Sequence, residues 1–208
     1  MAEPERTVGA TRLTARGEAT RARILEAAAD MMSVKGVTAT TMDDVRAASG
    51  TSKSQLYHHF PDKDALVQEV IGRRAHDLLS WQEGQLKRLN SMRGLERWRD
   101  AVVQHNALRN GAYGCPLGSL ASELSDRNER ARTELAAHFA TWEGLIADGL
   151  ERMRASGKLR SDADPQRLAI GLMGALQGGY LLAQTKQDVA PMKVTLDMAL
   201  DCIRAFQA

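Results

Sequence analysis

From residue 24 onward, apolar residues recur at helical spacing. Ile24, Ala28, Met31 and Met32 share one face, and Lys35-Gly36 supplies a stop, which predicts a first helix; residues 1 to about 16 show no such periodicity. Met42, Val45 and Ala48 outline a short second helix. Thr41 stands at its N-cap position and Asp44 follows three residues later. Gly50 then punctuates the chain, and Ser52-Lys53-Ser54-Gln55 reads as a capping box opening a third helix with Leu56 and Phe60 pointing inward. Pro61 ends it. Asp62 can cap a much longer helix through Leu66 and Val70 to about Leu89.

Beyond residue 90 the predicted segments lengthen. They run from about Leu95 to Arg109, from Pro116 to Leu124, and from Asn128 to Ser156 with Gly157 as the stop. Asp164-Pro165 is an N-cap followed by proline at the first helical position, which starts a helix to about Lys186, and Pro191 opens a last one ending near Phe206. No stretch alternates like a strand and no internal repeat is present. The fold class expected is all-α.

Composition agrees with that reading. Of 208 residues, 43% are hydrophobic and 26% charged, which excludes a disordered chain, while an aromatic share of 4% argues against strand-rich architectures. Cys115 and Cys202 read as free thiols, because a disulfide-stapled scaffold would carry more. The longest apolar stretch, Leu168 to Ala183, is broken by Gln177 and several glycines, and falls short of the ~20 residues a spanning helix needs. With a charged N-terminus in place of a secretory leader, the expectation is a soluble cytoplasmic protein without membrane contact.

The formal charge of +2 matters less than its distribution. Arg6, Arg12, Arg16, Arg21 and Arg23 are opposed only by Glu18 between residues 6 and 23, a basic leader suited either to phosphate contact or to simple solvation. Residues 41 to 60 balance Asp43 and Asp44 against Arg46 and Lys53, so electrostatics alone does not mark them as a DNA surface. The arrangement does. A helix, a tight turn at Gly50 and a short capped helix form a helix-turn-helix, whose second helix enters the major groove with its first residues toward base edges. Ser52, Lys53, Ser54, Gln55, Tyr57 and His58 put hydroxyl, amine and amide groups on that helix, and Thr40 and Thr41 begin the helix before it.

Those residues carry a family resemblance. Arg23-Ile24-Leu25-Glu26-Ala27-Ala28, Gly36, Thr40-Thr41-Met42-Asp43-Asp44-Val45, Ser52 through Phe60 and Lys63-Asp64-Ala65-Leu66 resemble, in order and spacing, the TetR-type transcriptional regulators. The resemblance covers roughly the first third of the chain. It implies a DNA-binding domain at residues 17–63 and a ligand-binding and dimerisation domain at 64–208, in a homodimeric repressor released from palindromic double-stranded DNA by a small molecule. It further implies that Thr41 and Ser52 contact phosphate, that Lys53, Ser54 and Gln55 approach base edges, and that Tyr57, His59 and Lys63 anchor the backbone. Position 54 is often glycine in the family. A flexible-arm role for Arg12 and Arg16 follows from charge alone.

The C-terminal half offers candidates of two kinds. Gly171, Gly174, Gly178 and Gly179 interrupt the helix from Pro165, each costing about 1 kcal/mol of helix stability unless something approaches closely, either a neighbouring helix or a second subunit. Trp81, Trp98, His105, Tyr113, Trp142, Met173, Gln177 and Tyr180 fill a core or line an effector pocket. Cys115 precedes Pro116 at a helix cap, where the helix dipole would lower its pKa; the alternative is a thiol packed in a loop. Its surroundings resemble a Gly-Cys-x-x-Gly segment of some TetR-type sensors of electrophiles, so the expected effector is a small hydrophobic or electrophilic compound.

Enzymatic motifs are missing from the sequence. There is no Glu-x-x-His pair, paired-histidine zinc helix, phosphate-cradling glycine loop or Gly-x-Ser-x-Gly elbow, so no catalytic residue, metal or cofactor is expected.

Overall fold

A computed structural model describes residues 14–108 and 110–208. Among these the chain forms nine helices: α1 (Ala15–Lys35), α2 (Met42–Ser49), α3 (Lys53–His59), α4 (Lys63–Leu86), α5 (Met92–Ala107), α6 (Pro116–Leu124), α7 (Glu129–Ala155), α8 (Pro165–Lys186) and α9 (Ala190–Arg204). The only strand-like pairing among the described residues is one antiparallel bridge, Leu159 to Gln207, which ties back the C-terminus. Arg6 and Arg12 lie outside the described residues.

Local side-chain chemistry fixes most helix starts. Thr14, Thr41, Ser52, Asp62, Asn128 and Asp164 each accept an orphan N–H of the first turn. Both expected boxes are complete: Thr41 pairs reciprocally with Asp44, and Ser52 with Gln55. The expected bounds shift in three helices. Ser91 caps α5 by accepting the Gly94 N–H, so that helix begins before Leu95 and ends at Ala107. The fourth helix stops at Leu86, because the chain turns there to bury Leu89 against α7. Asp188 accepts the Ala190 N–H, so α9 starts one residue before Pro191, and it ends at Arg204 rather than Phe206.

One continuous core joins both halves. Ile24, Ala28, Val45, Leu56, Phe60 and Leu66 interlock the first three helices with the start of α4. Trp98, Trp142, Leu150, Leu176 and Leu196 do the same for α5, α7, α8 and α9. The far end of α4 is held firmly. Arg152 of α7 donates from Nε to the Leu89 carbonyl at 2.9 Å and from Nη2 to the Leu86 carbonyl at 3.1 Å, the latter also accepting the Leu89 N–H.

Candidate nucleic-acid interface and effector region

Gly50 makes the turn between α2 and α3, with φ 63° and ψ 29°, the left-handed conformation that glycine adopts without steric cost. The turn is braced on both sides. The Ser49 and Thr51 hydroxyls hydrogen-bond at 2.9 Å inside it, and Arg23 of α1 donates from Nε to the Ser49 carbonyl at 2.8 Å. Leu56 and Phe60 bury one side of α3, which leaves Ser52, Lys53, Ser54, Gln55, Tyr57 and His58 exposed on the other. Among the described residues Lys53 makes no ion pair, so its ammonium is available to an external anion.

The remaining DNA candidates have different surroundings. Thr41 is exposed at its cap, whereas Thr40 is fully buried and its hydroxyl donates to the Gly36 carbonyl, so Thr40 shapes the turn and has no surface to offer a nucleic acid. Lys63 reaches back to donate to the Thr38 carbonyl at 3.2 Å. Arg16 sits in the first turn of α1 rather than on an arm, in a groove with Ser54, Gln55, His58 and His59. His59 is half-buried; burial, with His58 and Arg21 nearby, holds its pKa below the ordinary 6.5.

The effector candidates separate into groups. Cys115 is buried at the α6 cap, its Sγ accepting the Gly118 N–H at 3.4 Å. Burial pushes the thiol pKa up despite the N–H groups of Gly118 and Leu117 and the Gln177 amide, which corrects the dipole-based expectation of a lowered value. Gln177 lies beside it and donates to Met173 Sδ at 3.6 Å; Tyr180, one turn on, is buried with its phenol pKa raised strongly. Trp98 and Trp142 are core residues, the former donating from Nε1 to Gln82 Oε1 at 2.8 Å. Trp81 and His105 pair separately, with ring centroids 5.3 Å apart. Tyr113 stands half-exposed at another place, the mouth of a cleft between α1 and α6.

Two family models match the chain. One, described as bacterial regulatory proteins of the tetR family, covers residues 24–70, and the other, described as a tetracyclin repressor-like C-terminal domain, covers residues 86–199. The chain belongs to the TetR family of transcriptional regulators. It is 29% identical over 184 residues to an uncharacterized HTH-type transcriptional regulator in the lacX 3' region of Lactococcus lactis subsp. lactis, covering 86% of this chain and 90% of that one. The HTH-type transcriptional repressor DhaR of Mycobacterium sp. is 23% identical, over 88% of this chain and 91% of its own. The crystal structure of a TetR transcriptional regulator from Chloroflexus aurantiacus shares the fold with a TM-score of 0.82 at 23% identity, across 93% of this chain and 98% of that one.

This TetR-family regulator thus carries a helix-turn-helix that binds DNA and a C-terminal helical domain, in a family of regulators rather than enzymes. Among the described residues no helix is long and apolar enough to cross a membrane. Its α8 glycines fall into two sets. A Cβ at Gly179 would lie 2.7 Å from Thr195 Oγ1 and 3.0 Å from Met192 Cα, so that glycine lets α9 approach within the subunit. A Cβ at Gly171, Gly174 or Gly178 would meet nothing within 4 Å. Those three share the outer side of α8 and α9 with Ile170, Leu181, Val194 and Met198, each more than half exposed.

Two residues organise the interface in ways the sequence did not announce. Glu123 of α6 accepts the backbone N–H groups of Val37 and Thr38, and Arg23 braces the Gly50 turn. Both act on main-chain atoms far away in sequence, for which no local pattern exists.

Proposed function

We propose that the chain is a homodimeric repressor that binds a palindromic operator and leaves it when a small apolar molecule occupies the C-terminal domain. The observation that carries this reading is α3: a capped helix with a bare polar face presenting Lys53, Ser54, Gln55 and Tyr57, on a turn braced from α1. One α3 per subunit enters a major groove, with half-site centres about 34 Å apart or a multiple of it. Thr41, Ser52, Tyr57, His58, His59 and Lys63 hold phosphates, and residues 17–63 act as the DNA-binding unit on the 64–208 effector unit.

The dimer face in this reading is the outer side of α8 and α9, where glycines and exposed apolar side chains alternate. The effector contacts Met173, Gln177 and Tyr180 beside Cys115. A buried thiol with a raised pKa favours a reversible apolar ligand over an electrophile. DhaR is a transcriptional repressor, and that supports the sign of regulation. The test is a mobility-shift assay with DNA from upstream of the gene. A specific complex at a palindrome is expected, and none at low salt overturns the reading.

A further inference from the structure

A cleft of about 370 Å³ opens where α1 meets the effector domain. One wall is α1, with Met32, Ser33 and Val34; the other is α6 and the loop before it, with Tyr113, Ser119 and Glu123. Met32, Val70 and Leu120 supply buried apolar surface, and the volume lies within the usual range for small-ligand sites. This place is distinct from the region of Met173 and Tyr180, neither of which lines it.

We infer that this cleft binds a small amphipathic cation. Its charged lining is two carboxylates, Asp30 and Glu123, against the single guanidinium of Arg74. That guanidinium is already committed, donating from Nη2 to Asp30 Oδ1 at 3.2 Å and to Ser33 Oγ at 3.1 Å. Asp30 Oδ2 makes no hydrogen bond among the described residues, and the half-exposed Tyr113 lines the same cleft with an aromatic ring, a group that attracts cations. An anion would meet two carboxylates, and a neutral apolar molecule would leave Asp30 Oδ2 without a partner. An ammonium head on the acidic side with an apolar body over Met32 and Leu120 satisfies both.

Glu123 makes such binding consequential for DNA. Its carboxylate accepts the Val37 and Thr38 N–H groups, which sit just before the Thr41 cap of α2. A cation beside Glu123 competes for those oxygens and loosens the turn that positions the helix-turn-helix. Binding of the cation and of DNA are therefore mutually weakening, by the same factor in each direction.

The test uses three probes with one body and different heads: 4-phenylbutylamine, 4-phenylbutanol and 4-phenylbutyrate, titrated calorimetrically into the full chain without DNA. The amine is expected to bind at least tenfold tighter than either analogue. The double variant Asp30→Asn/Glu123→Gln should erase that preference. Ser119→Trp, which fills the mouth from an exposed position, should weaken amine binding at least tenfold with an unchanged melting temperature. Equal binding of the alcohol or the carboxylate overturns the assignment, as does full amine affinity in Ser119→Trp. Because this measurement needs no operator, its failure is separable from failure of the DNA reading. With operator present, saturating amine should weaken DNA binding at least threefold in the parent chain and not in Ser119→Trp; unchanged DNA affinity overturns the coupling.

Discussion

The Glu123 carboxylate of α6 accepts the backbone N–H of Thr38, a residue 85 positions earlier in the turn between α1 and α2. Glu123 is only partly buried, and although burial acts to raise its pKa, the Thr38 and Val37 donors and nearby Lys63 outweigh that and hold it below the ordinary 4.5. A depressed carboxylate contributes stability above its unfolded pKa and loses it as pH falls through the folded value. Glu123→Ala should therefore lower stability at pH 7 by about 1.5–3 kcal/mol, the scale of charge-assisted hydrogen bonds. Urea melts should show the gap between variant and parent narrowing as the pH falls below 4.5.

The two glycine sets predict opposite phenotypes. Gly174→Leu or Gly178→Leu adds a side chain where the subunit has open space, so the fold should survive while sedimentation shows monomers. Gly179→Leu would strike Thr195 and Met192, and overpacking there should cost about 1–3 kcal/mol whatever the oligomeric state. A dimeric Gly178→Leu protein would remove the proposed interface.

His59 should take up a proton when DNA binds. Its pKa is held low by burial, His58 and Arg21, and a phosphate in the groove beside it reverses that balance. Affinity for DNA should then rise as pH falls from about 7.5 to about 6, the ordinary imidazole range. Calorimetry in two buffers of different ionisation enthalpy measures the proton count, and His59→Gln should bring it toward zero.

Gln55 has a capping task and a proposed recognition task, which one variant separates. Its Oε1 accepts the Ser52 N–H at 2.9 Å as half of the capping box, and its amide can pair with the edge of adenine. Gln55→Glu keeps the cap and changes the donor pattern, so the helix should remain while base preference shifts, as read by binding to a randomised site. Tyr57→Phe should instead weaken all sequences alike.

Cys115→Ser tests the nature of the effector. With a raised thiol pKa, the variant should bind DNA and release it under quinone or aldehyde treatment no differently from the parent. Release lost only in the variant would make Cys115 a reactive sensor.

Much of this was legible locally. The reciprocal caps Thr41 with Asp44 and Ser52 with Gln55, and the Asp164-Pro165 start, involve residues two or three apart, and a sequence displays such pairs directly. Burial is another matter. Thr40 and Thr41 are indistinguishable as letters, yet Thr40 is enclosed and Thr41 exposed, because the α1–α2 turn is closed from outside by Glu123 and Lys63. Cys115 shows the same limit: its place at a helix cap was readable, whereas the desolvation that outweighs the dipole arises from tertiary burial, with Gln177 of α8 beside the thiol.

The Arg152 bonds at the far end of α4 have a mechanical meaning. With the Leu86 and Leu89 carbonyls pinned to α7, that end of α4 would be the fulcrum of any tilt of the helix in the proposed release. At 24 residues it is about 36 Å long, so a tilt of about 5° about that fulcrum carries its first turn some 3 Å. That first turn follows α3 directly through Asp62. In the proposed two-fold dimer the displacements of the two copies would add, and a shift of about 6 Å between recognition helices is a large error against a groove repeat of about 34 Å. In the proposed release, a ligand would have to do little at its own site to put the two half-sites out of register.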